Sequence, residues 1–307
     1  MPHAKMFIVG WRPQAYMITG IAGLGDGWSR KRFDMLKCNN WPIGVCSWSL
    51  QSDIQGIAEA MEKIGLEHIH LAVRPALQEN GAEYLAAIRE HNWTITSCMI
   101  DFPQEDYSTL EAIKITGGVG PDEFWPGNKE LVLKAIDVTS ELDVKFLSLH
   151  AGFLDHTKPA YAQKFYDRVG VLADAAQLQG VVLLMETGQE SAEDLKIFLQ
   201  ELNHDALAAN FDPANMILYD KGDPIEAVET LAPWIRHIHI KDALYTQTPG
   251  TWGAEVPWGI GQVNDQLFLQ TLKNINYDGA LAVEREAGHN RLGDIKFAAE
   301  KLSRFTI

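Results

Sequence analysis

From Trp41 onward, short apolar runs alternate with amphipathic stretches. The runs are IGVCSWSL (43–50), HIHLAV (68–73), TITSCMI (94–100), KFLSLHA (145–151), VVLLME (181–186), LAANFD (207–212), IRHIHIK (235–241) and ALAVERE (280–286). They read as strands, and VVLLM is the near-continuous apolar run expected of a strand buried on both faces. Between them lie IQGIAEAMEKIG, AEYLAAIREH, NKELVLKAIDVTSEL, AYAQKFYDRVGVLADAAQLQ, AEDLKIFLQEL, PIEAVETLAPW, DQLFLQTLKNIN and LGDIKFAAEKL. Apolar residues recur there at three- and four-residue spacing, the period of a helix with one buried face. Ser191 and Asp223 stand where capping residues belong. Eight strands, each followed by a helix, predict an α/β chain folded as a (β/α)8 TIM barrel. An open doubly wound sheet is the alternative. It is weakened because no GxGxxG follows the first strand.

Residues 1–40 break this rhythm, with several glycines and a basic cluster, Arg30-Lys31-Arg32. They are expected to be an N-terminal extension of uncertain order, or an over-long start with Met35 as the initiator. Residues 41–307 then form a single TIM-barrel catalytic domain. Two connections are long. One, 101–126, holds KITGGVGPDEF; the other, 243–262, holds WGAEVPWGIGQV. In a barrel both lie on the C-terminal face, where long loops cover a substrate.

Composition narrows the function. With 26 basic and 41 acidic residues the net charge is −15, which disfavours nucleic acid or an anionic membrane as partner. Cys38, Cys46 and Cys98 form no close pair, which fits a reducing, cytoplasmic setting. No apolar run approaches the length of a spanning helix. AYMITGIAGLG is too short and glycine-broken for an expected secretion signal.

The strand ends carry the chemistry. Glu186, Asp212, His239 and Glu284 each place an ionisable group at the end of an otherwise apolar strand. One buried carboxylate needs a partner; three converging with a histidine need a cation or shared protons. Three oxygens and an imidazole suit one divalent ion, Mn2+ first, with Mg2+, Co2+ or Zn2+ as alternatives. The strand 235–241 alternates His237, His239 and Lys241 with isoleucines, so it presents one polar face.

The ordered pieces LLMETGQE, NFDPAN, HIHIKD, WGIGQV and LAVERE resemble the xylose isomerase-like TIM-barrel superfamily of sugar isomerases, epimerases and inosose dehydratases, which also includes endonuclease IV. The resemblance runs from about residue 43 to 304. It implies metal ligation by Glu186, Asp212, His239 and Glu284, and selects His239 over His237 as the histidine three before the Asp of HIKD. His237 is then expected to be a packed histidine. It also implies proton abstraction next to a carbonyl through a metal-stabilised enediolate, with Glu186 and Glu284 as the catalytic pair. The expected substrate is a small sugar or sugar phosphate, and a homo-oligomer is left open. An inosose-type dehydratase on the same site is the alternative. A phosphodiesterase like endonuclease IV is disfavoured, because Asn215 stands where that enzyme has a histidine ligand.

Further residues are candidates for substrate contact: His150, Asn215, Lys241, Glu190 and Trp258. Trp48 joins Trp258 as a surface on which a sugar could stack. Glu286 shares the face of Glu284 and is a candidate partner behind it. Arg74 is expected in a surface ion pair.

Overall fold

The computed structural model describes residues 36–305. Nearly all of the proposed N-terminal extension lies outside that range. Its last residues do not: Lys37–Cys38 pairs antiparallel with Trp41 and Pro42 in a small hairpin that leads into the barrel.

Eight parallel strands close the barrel: β1 (Trp41–Cys46), β2 (His68–Ala72), β3 (Thr94–Ile100), β4 (Phe146–Leu149), β5 (Val182–Glu186), β6 (Leu207–Phe211), β7 (Ile235–Ile240) and β8 (Leu281–Val283). Each pairs with its neighbour in sequence, and β8 pairs with β1. The connecting helices are α1 (Ile54–Ile64), α2 (Gly81–Arg89), α3 (Leu110–Thr116), α4 (Trp125–Glu141), α5 (Pro159–Leu178), α6 (Ala192–Leu202), α7 (Pro213–Leu218), α8 (Pro224–Leu231), α9 (Asp265–Asn274) and α10 (Arg291–Ser303). Strand side chains such as Ile69, Leu147, Leu183, Phe211, Ile238 and Leu281 join the core built with Ile57, Leu172, Phe198, Val228 and Phe268 of the helices. Strand alternation sends Glu186, Asn210, His237, His239 and Glu284 to the other face, the barrel interior.

Two strands, β1 and β8, stop well before their apolar runs do. Past Cys46 the chain curls into a single 3-10 turn, Ser47–Leu50, instead of continuing as strand. Buried hydroxyls hold this curl: Ser47 Oγ accepts from Ala72 N, and Ser49 Oγ from Arg285 N, both at 2.9 Å. The curl carries Trp48 over the barrel mouth. Strand β8 ends at Val283, so Glu284–Glu286 leave the sheet. The expected caps are present, with Ser191 Oγ accepting from Asp194 N and Asp223 from Ile225 N and Glu226 N.

The two long connections have structure of their own. The first contains α3. The second folds as a hairpin of Asp242–Leu244 with Ala254–Val256. They meet at a small apolar cluster: Tyr107, Leu110 and Ile113 from the first connection and Trp252 from the second, with Phe153 from past β4 and Tyr219 from the end of α7.

Candidate metal centre

Strands β5 and β7 and the residues just past β6 and β8 form an arc of four consecutive barrel positions. The arc brings Glu186, Asp212, His239 and Glu284 together, with one ligand atom from each lying within 4.8 Å of the others. His239 Nδ1 sits centrally, 3.3 Å from Glu284 Oε2, 3.4 Å from Glu186 Oε1 and 3.7 Å from Asp212 Oδ2. All four residues are at most 5% exposed.

Each carboxylate has one oxygen held by the protein. Glu186 Oε1 accepts from Asn215 Nδ2 at 3.0 Å, and Glu284 Oε1 from Trp48 Nε1 at 2.6 Å. Asp212 Oδ1 caps α7, accepting from Ala214 N and Asn215 N at 2.8 and 3.1 Å. The other oxygens, Glu186 Oε2, Asp212 Oδ2 and Glu284 Oε2, are buried without a hydrogen bond, and so is His239 Nδ1. Unsatisfied buried polar atoms are costly, and here three carboxylate oxygens and one imidazole nitrogen gather at one point. The donor set therefore fits a divalent ion, and the residues that would hold it are the four read from the strand ends.

Charge around the cluster is uneven. Burial opposes ionisation of Glu186 and Glu284. His150 and His239 beside the first, and Lys241 and His239 beside the second, nevertheless leave both below the usual carboxylate range. Asp212 is raised by its burial despite Lys241. Lys241 Nζ lies 2.8 Å from Glu284 Oε2, outside hydrogen-bond alignment, and donates to Glu286 Oε2 at 2.8 Å. His150 Nε2 is 3.7 Å from Glu186 Oε2, on the opposite side.

Of the expected substrate contacts, the fold brings His150, Asn215 and Lys241 to the cluster. Asn215 arrives as the partner of Glu186. Glu190 does not arrive: it is buried beside Lys221 and Asp194, and burial pushes its carboxyl up to about 8. Trp258 does not arrive either, because its ring packs edge-on against Phe268 of α9. Trp48 does reach the site, as hydrogen-bond donor to Glu284 and edge-on neighbour of His70 and His239. Arg74 pairs with Asp101 at 3.0 Å, a partly exposed ion pair.

Other residues were not singled out by the sequence reading. Gln189 Oε1 accepts from Gly152 N at 2.8 Å, while its Nε2 is buried and unpartnered. Tyr107 lies 6.3 Å, ring to ring, from His150, and Trp252 stands edge-on to Tyr219 at 4.7 Å. His70 and Asn210 contact His239 from below. His237 is buried as expected, yet hydrogen-bonded to Asn210 and Thr96. Burial carries His70 down to about 3 and His237 well below the usual range. The position of Asn210 two residues before Asp212, on the same face of the strand, is the signal that could have found it.

Residues 58–305 match the xylose isomerase-like TIM barrel family, and the chain belongs to it. A xylose isomerase domain protein from Planctomyces limnophilus is 30% identical, with a TM-score of 0.77 over 86% of this chain and 95% of that one. A xylose isomerase-like TIM barrel protein from Mycobacterium smegmatis, solved in complex with magnesium, is 18% identical at a TM-score of 0.66 over 88% and 98%. The 3-keto-D-glucoside 4-epimerase YcjR of Escherichia coli shares the fold at 15% identity and a TM-score of 0.65, over 85% and 98%. The uncharacterized protein YihM of Escherichia coli (strain K12) is 36% identical over 110 residues, 31% of this chain and 33% of that protein. The chain thus aligns with about a third of that curated relative's length.

Proposed function

We propose that this protein is a divalent-metal-dependent isomerase or epimerase of a small sugar or sugar phosphate. The observation that carries the reading is the set of four unsatisfied ligand atoms on adjacent strands. A structural relative solved with magnesium and a sugar epimerase of the same fold support it. Mn2+ is the ion we assign first.

A bound ion would polarise the substrate carbonyl and offset the negative charge left when the neighbouring proton departs. Glu186 and Glu284 stand at the two ends of the four-strand arc, so they can address a substrate from two sides. One accepts the proton next to the carbonyl and the other returns one. Trp48 and Asn215 keep these carboxylates from rotating. Lys241 places a positive charge beside Glu284, and His150 does so beside Glu186 when protonated. The apolar cluster of Tyr107, Tyr219 and Trp252 limits water around the reacting carbon.

The test loads purified protein with Mn2+, confirms the content by elemental analysis, and incubates it with a panel of ketoses and ketose phosphates in D2O. Deuterium should enter at the carbon next to the carbonyl of at least one sugar. Glu186→Gln and Glu284→Gln should each slow that exchange by about 10²-fold or more. A loaded protein that exchanges no sugar of the panel overturns the reading. Loss of water from the sugar would assign the dehydratase alternative.

A further inference from the structure

Beneath the four ligand atoms runs a buried network that the proposed proton transfers leave unused. His239 Nε2 faces away from the carboxylates. It lies 2.9 Å from His70 Nδ1 and 3.1 Å from Asn210 Nδ2. The first arm continues from His70 Nε2 to the main-chain carbonyl of Cys98 at 3.1 Å. In the second, Asn210 Oδ1 is 2.9 Å from His237 Nδ1, and His237 Nε2 is 3.0 Å from Thr96 Oγ1. The Thr96 hydroxyl donates to the carbonyl of Ile69 at 3.2 Å.

The end of the first arm sets the direction of its bonds. A main-chain carbonyl only accepts. His70 therefore keeps its proton on Nε2. Fully buried and with no carboxylate bonded to it, it carries one proton only, so its Nδ1 accepts. His239 Nε2 must donate to it. The second arm follows from the first. The structure places Asn210 Nδ2 against His239 Nε2 and Oδ1 against His237 Nδ1, so a proton on His239 Nε2 requires a half-turn of that amide. After it the Asn210 oxygen accepts from His239, its NH2 donates to His237 Nδ1, and His237 Nε2 donates to the Thr96 oxygen.

We propose that His70 is a positioning residue that holds His239 as its Nε2–H tautomer, leaving the Nδ1 lone pair facing the three carboxylates for a divalent cation. The inference rests on reading those four groups as a metal centre. Two irregularities in the barrel make the network possible. Between β2 and β3 the register shifts at Ile69/His70, so Thr96 is an extra residue without a partner across the sheet. Between β6 and β7 it shifts at Ala209/Asn210, which brings Asn210 level with His237. Such bulges re-aim side chains beside functional sites.

The test compares Mn2+ binding by titration calorimetry in wild type, His70→Leu and His70→Gln. Leu removes the acceptor, whereas Gln retains both an acceptor oxygen and an N–H. The Leu variant should bind Mn2+ about 10- to 100-fold more weakly, with Gln recovering most of the loss. Melting without metal checks that each variant folds. Long-range 15N–1H spectra of the Mg2+-loaded wild type should show His239 and His70 protonated at Nε2 alone. A folded Leu variant within twofold of wild type, or a proton on Nδ1 of His70, overturns the proposal. If wild type itself takes up no Mn2+, the metal reading falls and this inference with it. If wild type and Leu bind alike, only this inference falls. Should the Leu variant not fold, the wild-type spectrum decides.

Discussion

Glu186, Asp212 and Glu284 each have one oxygen held and one free, and this division was only partly legible in the sequence. The free oxygens follow from strand alternation, because a polar residue at the end of an apolar inward face points into the barrel mouth. The held oxygens depend on Trp48, Asn215 and the first turn of α7, which no single strand encodes. Glu190 shows the converse. It lies only four positions past Glu186, yet the turn after β5 carries it to Lys221 and Asp194. Its carboxyl, raised by burial from its ordinary 4.5 to about 8, stays protonated in the folded chain while the unfolded chain has already ionised. The folded state then holds the extra proton, so its stabilising effect is complete below about pH 4.5 and is lost as pH rises through about 8. Glu190→Gln should flatten that fall, recovering roughly a few kcal/mol at pH 8.5 relative to pH 5 in urea titrations. An unchanged pH slope would show that Glu190 is not buried in neutral form.

Among the elements, the connection after β7 shows how a motif becomes a shape. Asp242 ends the HIHIKD run, and its carboxylate accepts from Gly259 N, Gly261 N and Val263 N at 2.9, 2.9 and 3.1 Å. WGIGQV is therefore a loop wrapped around one carboxylate. Gly259 supplies a left-handed turn at φ 81°, and a Cβ at Gly261 would overlap the Asp242 carboxylate. Glu255 of the adjoining hairpin accepts from Arg285 Nη1 at 2.6 Å and from Glu286 N at 2.9 Å, which fastens the loop to the end of β8. Gly261→Ala should lower stability by roughly 1–3 kcal/mol and increase protease cutting within 243–262. Unchanged melting and cutting would refute this account of the loop. The sequence marked this segment as a long connection with glycines and tryptophans. That Trp258 packs outward on Phe268 while Trp252 turns inward on Tyr219 depends on the hairpin, whose strands 242–244 and 254–256 pair across a long turn.

At the scale of the whole molecule, the barrel itself was fully legible, because eight strand–helix units leave little choice of closed topology. Strand register was not. The shifts at Ile69/His70 and Ala209/Asn210 arise from how neighbouring strands meet, and each strand alone reads as regular. The arc of like charge inside an acidic chain of net charge −15 also has a thermodynamic consequence. Without a cation, three buried carboxylates have only Lys241 and the histidines to balance them. Adding Mn2+ at about 100 times its dissociation constant should stabilise the protein by about 2.7 kcal/mol. The expected rise in melting temperature is a few degrees, reversed by EDTA. A melting temperature indifferent to both would count against a cation at the arc.

The small aromatic cluster over the mouth bears on timing as well as on chemistry. Tyr107 comes from one connection and Trp252 from the other, and they meet around Tyr219 above carboxylates that are at most 5% exposed. On the proposed function, a sugar bound at the arc would lie beneath these two connections. The residence time of that sugar would then depend on the parting and rejoining of two chain segments far apart in sequence as much as on the ligands below them.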